Sequence, residues 1–149
     1  ACRLKWPNDV LLDGAKVAGV MVEVRGSLAV VGCGVNVNAA PPPGLVDFPA
    51  GCLADALGHR AERVEVARAL LRRLDEWVAH VADGRLDALH DAFAARCATV
   101  NRRVDVRCGE RRYAGRALDV SPLEGLVLLC DDGRRLHLPA AGSTILTWK

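Results

Sequence analysis

A chain of 149 residues that is 51% hydrophobic can bury a core of its own, which excludes a predominantly disordered protein. Its formal net charge is only +2, and its basic side chains are scattered among acids, so the composition gives no support for a nucleic-acid-binding protein. Its apolar runs fall far short of the roughly 20 residues that span a bilayer, so no membrane partner is expected.

The first forty residues contain apolar segments separated by turn signals. Trp6-Pro7-Asn8-Asp9 predicts a turn, because proline fixes its own φ and pushes the preceding residue to an extended conformation. Asp13-Gly14 and Arg25-Gly26 are typical of tight turns between strands. A three-stranded antiparallel meander is predicted over residues 10–12, 16–24 and 27–37. Because the segments are almost continuously apolar, we expect a sheet buried on much of both faces, or closed on one face by a partner.

Helices follow a loop over residues 39–50, in which Pro41-Pro42-Pro43 cannot continue a strand ladder. A short helix over residues 51–57 is expected to end at Gly58. Apolar residues that recur every three or four positions predict a long helix over residues 62–82 and a second helix over residues 86–97.

From Arg103 onward the hydrophobic period becomes two, which is the period of strands. Five short strands, two of them joined by a loop over residues 121–125, predict a small SH3-like β-barrel. The change of period predicts one domain over residues 1–98 and a second over residues 99–149. The predicted fold class is therefore α+β: the remainder of a mixed or antiparallel sheet covered by helices, followed by the C-terminal barrel.

The six cysteines show no Cys-x-x-Cys spacing, and no histidine lies close enough to complete a zinc pattern. Cys33 and Cys130 lie in apolar, strand-like segments and are interpreted as small core residues. We therefore expect no metal site and a reducing, cytoplasmic compartment.

Lys5 is the first candidate for a functional side chain. It precedes a rigid turn, which restricts its freedom, and its ammonium offers three donors to a carboxylate, phosphate or carbonyl. From spacing alone, a solvated lysine at a strand end is the more common situation. Lys16 and Gly19 are interpreted from spacing as an edge-strand charge and a packing glycine.

Gly32-Cys33-Gly34 lacks the third glycine and the following helix of a dinucleotide-binding loop. Its glycines are better explained by a ligand, or by another stretch of backbone, that lies against the strand. Asn36 would then be placed to read an adenine or amide edge. The alternative is that Asn36 belongs to a bulge and favours a turn.

Three segments, in this order and at this spacing, resemble the biotin protein ligase family. They are Lys5-Trp6-Pro7-Asn8-Asp9, Lys16-Val17-Ala18-Gly19-Val20 and Gly32-Cys33-Gly34-Val35-Asn36-Val37-Asn38. The resemblance implies ATP-dependent activation of biotin to biotinyl-5′-adenylate, followed by transfer to a lysine of a biotin carboxyl carrier protein. Biotin and ATP would be the substrates, and Mg²⁺ would be held by the phosphates rather than by a protein cage.

The resemblance also implies roles for individual residues. Lys5 matches a lysine that contacts biotin and the phosphoryl group, so it is predicted to be catalytic and biotin-binding. Gly19, Gly32 and Gly34 match positions of close approach in the biotin cleft. Asn36 matches a residue near the nucleotide. A fixed cation would offset the repulsion between the biotin carboxylate and the α-phosphate.

In that family a glycine- and arginine-rich biotin-binding loop lies upstream of the Lys-Trp-Pro-Asn-Asp segment, and it has no counterpart in this sequence. The chain is therefore interpreted as a C-terminal portion that is incomplete for catalysis. A non-catalytic ligand- or carrier-binding fragment and a related lipoate-type acyl ligase are the alternatives. Nucleic acid is expected as a partner only if a missing N-terminal domain exists, and a homodimer through residues 17–24 is left open.

Overall fold

The structure, a computed structural model, describes residues 1–42, 44–45, 48–121 and 124–148. Pro43 of the triple proline and Pro122 and Leu123 of the predicted loop lie outside these ranges. In chain order the elements are β1 (Cys2–Lys5), β2 (Asp9–Leu12), β3 (Ala15–Arg25), β4 (Leu28–Val35), α1 (Leu53–Leu57), α2 (Arg63–Ala82), α3 (Leu86–Ala94), β5 (Arg103–Cys108), β6 (Arg111–Ser121), β7 (Gly125–Cys130), β8 (Arg135–Leu138) and β9 (Ser143–Trp148). The predicted α+β class is confirmed.

The chain divides into two compact units. The first comprises Ala1–Arg3 and Asn8–Leu86, and the second comprises Leu4–Pro7 and Asp87–Lys149. The predicted boundary between residues 98 and 99 remains a prediction, and in the structure residues 87–98 belong to the second unit.

The first sheet has the strand order β1-β2-β3-β4, and its strands β2, β3 and β4 lie entirely within the first unit. The pairs β2–β3 and β3–β4 are antiparallel, which confirms the predicted meander. Asp13 and Gly14 both have positive φ, at 49° and 86°, as the two central residues of a type I′ hairpin turn require. A β-bulge interrupts the β2–β3 ladder: Val10 lies opposite Ala18, and Leu11 lies opposite Lys16.

The far edge of this sheet is exposed, although its sequence is apolar. Val24 and Leu28 are each 70% exposed, and Cys33 is exposed as well. The expectation of burial on both faces is therefore wrong for this chain, and so is the interpretation of Cys33 as a core residue. Within the described residues, too little packs on β4 and the end of β3 to remove them from solvent. Closure of one face by a partner stays a prediction.

The helices begin and end close to their predicted positions, except that α3 ends at Ala94 rather than at residue 97. α1 ends at Gly58, whose φ of 73° is the left-handed conformation that commonly closes a helix. No residue of α2 is buried, and Leu71 on its apolar stripe is 59% exposed. The predicted covering of the sheet by helices is therefore limited in this chain.

The second unit has a buried hydrophobic core, which packs on a five-stranded antiparallel sheet of order β8-β7-β6-β5-β9. Val104 and Val106 are at most 1% exposed, while Arg103 and Arg107, which flank this pair, are exposed, as a period of two requires. Trp6, at 1% exposed, joins this core. The five predicted strands are all present, and their closure into an SH3-like barrel remains a prediction.

Candidate functional site

A groove of about 990 Å³ lies in the first unit, along one face of β3 and β4. The register pairs Gly19 with Gly34, Met21 with Gly32 and Glu23 with Val30. Because side chains alternate along a strand, these residues share one face of the sheet. The floor of the groove is therefore built largely from glycine backbone.

Neither the backbone nor the packing of this chain requires glycine at positions 32 and 34. Their φ angles lie outside the left-handed region, and an added Cβ would meet no atom closer than 3.9 Å. Gly115 in the second unit is the contrast, because a Cβ there would collide with the carbonyl oxygen of Leu129. The space above Gly32 and Gly34 is left open by the chain itself and is available to a ligand.

An ion pair between Lys16 and Asp9 lies in the groove beside Gly19. Lys16 Nζ lies 2.5 Å from Asp9 Oδ1, and the Asp9 side chain is only 10% exposed, compared with 40% for Lys16. A Cβ on Gly19 would lie 3.5 Å from Lys16 Nζ and 3.7 Å from Asp9 Oδ1. The ion pair therefore passes directly over the Cα atom of Gly19.

The bulge explains why Lys16 reaches this face. Residues three apart on a regular strand point to opposite faces, so Lys16 and Gly19 would be separated. The register shift leaves Val17 as the extra residue of β3, which re-aims the side chain of Lys16. The Lys16 backbone is fixed on its other side, where its N–H donates to Pro49 O at 2.7 Å and its carbonyl accepts from Gly51 N at 2.9 Å.

Asn36, at the end of the groove, forms hydrogen bonds that stabilise the local backbone. Its Nδ2 donates to Gly51 O at 3.0 Å and to Lys16 O at 3.4 Å, and its backbone N–H donates to Val17 O at 2.8 Å. The side chain thus ties the segment around Gly51 to β3. These bonds agree with the structural alternative for Asn36, and its contact with a nucleotide remains a prediction.

Four of the five predicted site residues, all except Lys5, line this one groove. Lys5 is 8% exposed and belongs to the second compact unit. It precedes a cis Trp6–Pro7 bond, and the Trp6 N–H donates to Thr99 Oγ1 at 3.0 Å. Lys5 is not among the residues that line the groove. Its catalytic role therefore remains a prediction.

Lys16 and Asp9 are the residues that reasoning from spacing undervalued. The bulge that brings Lys16 over Gly19 leaves no mark that a pattern of apolar residues can reveal. One signal was available: the lysine and the glycine fall in the second of the three family-like segments. Among the described residues, no group of three or more His, Cys, Asp and Glu is placed to hold a metal ion. No helix in the same ranges is long and apolar enough to cross a membrane.

Comparison with known proteins extends beyond the motifs. Residues 1–38 match the Biotin/lipoate A/B protein ligase family. The chain is 32% identical over 146 residues to a biotin–[acetyl-CoA-carboxylase] ligase of Paracoccus denitrificans, and 35% identical over 144 residues to one of Mycobacterium tuberculosis. These alignments cover 93% and 96% of this chain. Over nearly its whole length, the chain is therefore similar to proteins of the biotin protein ligase family.

The fold of the chain agrees with that similarity. A solved biotin protein ligase from Aquifex aeolicus, in complex with biotin and ATP, superposes with a TM-score of 0.83 at 25% identity. That superposition covers 97% of this chain and 61% of the other. The chain spans 60% of the Paracoccus ligase and 49% of the Mycobacterium ligase. The predicted resemblance is thus confirmed.

Proposed function

We propose that this chain takes part in biotin–protein ligation, in which ATP activates biotin to biotinyl-5′-adenylate and the biotinyl group passes to a lysine of a biotin carboxyl carrier protein. The observation that carries the proposal is the convergence of the family motifs on one groove. Residues from all three family-like segments, Asp9, Gly19 and Gly34, stand side by side in register across β2, β3 and β4. The relatives named above supply the reaction class.

The groove has the chemistry that the first step needs. Biotin and ATP meet through a carboxylate and an α-phosphate, which repel each other. A fixed ammonium between the two anions offsets that repulsion and stabilises the charge that develops during attack. Within the groove lining, Lys16 is the lysine that can supply this ammonium. Lys5 remains the candidate that the sequence motif favours.

Asp9 holds Lys16 in place in this proposal. A lysine on a flexible four-carbon stem loses much side-chain entropy when it is fixed, and the 2.5 Å contact with a largely buried carboxylate restricts it before substrate arrives. Pre-organisation of this kind lowers the cost of binding an anion. The flat glycine floor meanwhile lets an extended ligand lie close to the backbone.

Several further aspects belong to the same proposal. Mg²⁺ would enter with ATP and be held by its phosphates. The compartment would be the cytoplasm, where the exposed Cys2 and Cys33 thiols stay reduced. A homodimer would use residues 17–24, an apolar stretch of β3 that can pair or stack across a two-fold axis. Light scattering over a range of concentrations tests the dimer.

The test compares two lysines in the 149-residue chain. We expect Lys16→Ala to weaken the binding of biotinyl-5′-adenylate, measured by calorimetry, by roughly tenfold, because a charge-assisted hydrogen bond to the phosphate is lost from a partly solvated site. Arg25→Ala is the matched control, since it removes an exposed cation from the same strand. Lys5→Ala is measured beside them.

The results of these measurements distinguish the roles of Lys5 and Lys16, and they distinguish a ligase function from the non-catalytic alternative. Loss of binding in Lys5→Ala with normal binding in Lys16→Ala would reverse the roles of the two lysines. Binding of a biotin carrier domain without any effect of biotin or ATP would favour the non-catalytic alternative. Absence of both activities from the chain would refute the proposed function for it.

A further inference from the structure

The outer face of the second unit's sheet is crowded with arginine. Five exposed arginines point to this side of the sheet, and we call them the arginine face: Arg103, Arg107, Arg112, Arg116 and Arg135. The buried valines of β5 alternate with these arginines and point to the core, which fixes the side on which the arginines lie.

The arginines stand opposite one another rather than opposite acids. The β5–β6 register pairs Arg103 with Arg116 and Arg107 with Arg112. The row through Arg116 continues across Leu129 on β7 to Arg135 on β8. Like charges directly opposite on neighbouring strands destabilise a sheet. The arrangement therefore works against the fold's own stability.

The chain relieves only part of this repulsion. Arg103 forms a two-pronged ion pair with Asp131, at 2.5 Å and 2.6 Å. Arg116 reaches only the amide oxygen of Asn101, at 3.4 Å. Within the part of the chain that the structure describes, the guanidinium groups of Arg107, Arg112 and Arg135 have no hydrogen-bond or ion-pair partner. Guanidinium groups left without acceptors are suited to carboxylates or phosphates brought by another molecule.

We propose that the arginine face is a docking surface for an acidic segment of another protein. Guanidinium forks bind carboxylates in a two-pronged geometry, and arginine is enriched at protein interfaces whereas lysine is depleted there. The face includes no lysine. The partner is thus identified by its chemistry as a glutamate- or aspartate-rich surface that also offers apolar contacts.

Two features favour a protein partner over a nucleic acid. Asp105, which accepts a hydrogen bond from Thr147 Oγ1 at 2.6 Å, lies between the two arginine pairs and would repel a continuous phosphate backbone. Leu129 and Leu146 are 39% and 38% exposed beside the arginines and offer apolar contact.

The decisive variant is Arg107→Glu in the full chain. It replaces a like-charge pair by an opposite-charge pair with Arg112, so the thermal midpoint of the second unit should rise by roughly 1–5 °C. The same change should weaken binding of a glutamate-rich synthetic peptide that carries leucines by at least about tenfold at low ionic strength. Arg72→Glu is the matched control, because Arg72 is an exposed arginine on α2 without a described partner.

Binding is followed by fluorescence anisotropy, with a single-stranded oligonucleotide of equal formal charge as the competing probe. A gain in stability together with a loss of peptide binding, both absent from Arg72→Glu, supports the docking surface. Equal loss in both variants would mean non-specific attraction and would overturn the proposal. Tighter binding of the oligonucleotide, lost in Arg107→Glu, would also overturn it in favour of nucleic acid, and so would absence of peptide binding by the unaltered chain.

Discussion

The glycine floor of the groove allows a single methyl group to test whether a ligand lies there. In Gly34→Ala the new Cβ would have the carbonyl oxygen of Gly19 as its nearest neighbour, at 3.9 Å, an ordinary van der Waals distance. The φ of Gly34 lies outside the left-handed region, so alanine meets no backbone strain. The methyl group would project into the groove, on the face shared with Gly19.

The structure predicts opposite effects on stability and on binding. Alanine has less conformational freedom than glycine in the unfolded chain, which should stabilise the fold by about 0.4–1 kcal/mol at a compatible position. A ligand that lies on the floor must instead move away from the methyl group. Overpacking of this kind costs about 1–3 kcal/mol. That range corresponds to a loss of roughly 5- to 150-fold in affinity.

Both quantities can be measured on the 149-residue chain. Urea unfolding gives the change in stability, and calorimetry with biotinyl-5′-adenylate gives the change in affinity. Val31→Ala is the control on the same strand, because Val31 is not part of the groove lining and its truncation adds no atom to the floor. Unchanged affinity in Gly34→Ala would refute the placement of the ligand on this floor. A fall in stability would refute the claim that glycine is not needed there by the chain itself.

Two further predictions follow from pKa shifts in the second unit. The hydrogen bonds from Arg103 lower the pKa of the Asp131 carboxyl, so this group stabilises the fold above its ordinary pKa of 3.8 and loses that effect as the pH falls through the lowered value. We therefore expect Asp131→Asn to reduce stability at pH 7, and we expect this deficit to shrink as the pH is lowered below 3.8, in urea unfolding over a pH series; a deficit that does not change with pH would contradict the linkage. Burial raises the pKa of the Cys130 thiol, so iodoacetamide at about pH 9 should label exposed Cys2 and Cys33 well before Cys130. Mass spectrometry of the labelled peptides measures the order, and equal rates would contradict the burial of Cys130.

Turn chemistry and hydrophobic period predicted the elements of this chain well because both are local. Asp13-Gly14 adopts the positive φ angles that the dipeptide indicates, and Gly58 ends α1 as a left-handed residue. The period of two after Arg103 agrees with the alternating burial of β5. Such signals depend only on neighbouring residues, so they survive without knowledge of tertiary contacts.

The candidate site was predictable only in part, because its decisive feature is a register shift. The glycines at 32 and 34 indicated close approach to a strand, and they line the groove together with Gly19. The position of Lys16 depends instead on which residue of β3 is left out of the ladder with β2. That choice is made by pairing between strands and cannot be deduced from the pattern of β3 alone.

The apolar pattern of β4 misled for a different physical reason. An apolar pattern indicates that a strand is suited to a buried environment. It does not say that the described residues of the same chain supply that environment. Val104 in the second unit is 1% exposed because its partners lie within that unit, whereas Val30 on β4 is 65% exposed. The described residues therefore bury the apolar side chain of Val104 but leave that of Val30 exposed.

This contrast also bears on how the groove would bind. A floor of glycine backbone offers few side-chain contacts, so dispersion and apolar burial from that side are small. The Lys16–Asp9 pair offers charge, but Lys16 remains 40% exposed, and a half-solvated ammonium attracts an anion weakly compared with an enclosed one. Tight binding therefore requires that something cover the ligand and exclude water above Lys16. The exposed apolar strands β3 and β4, which border the groove, are where such a cover would find its own contacts.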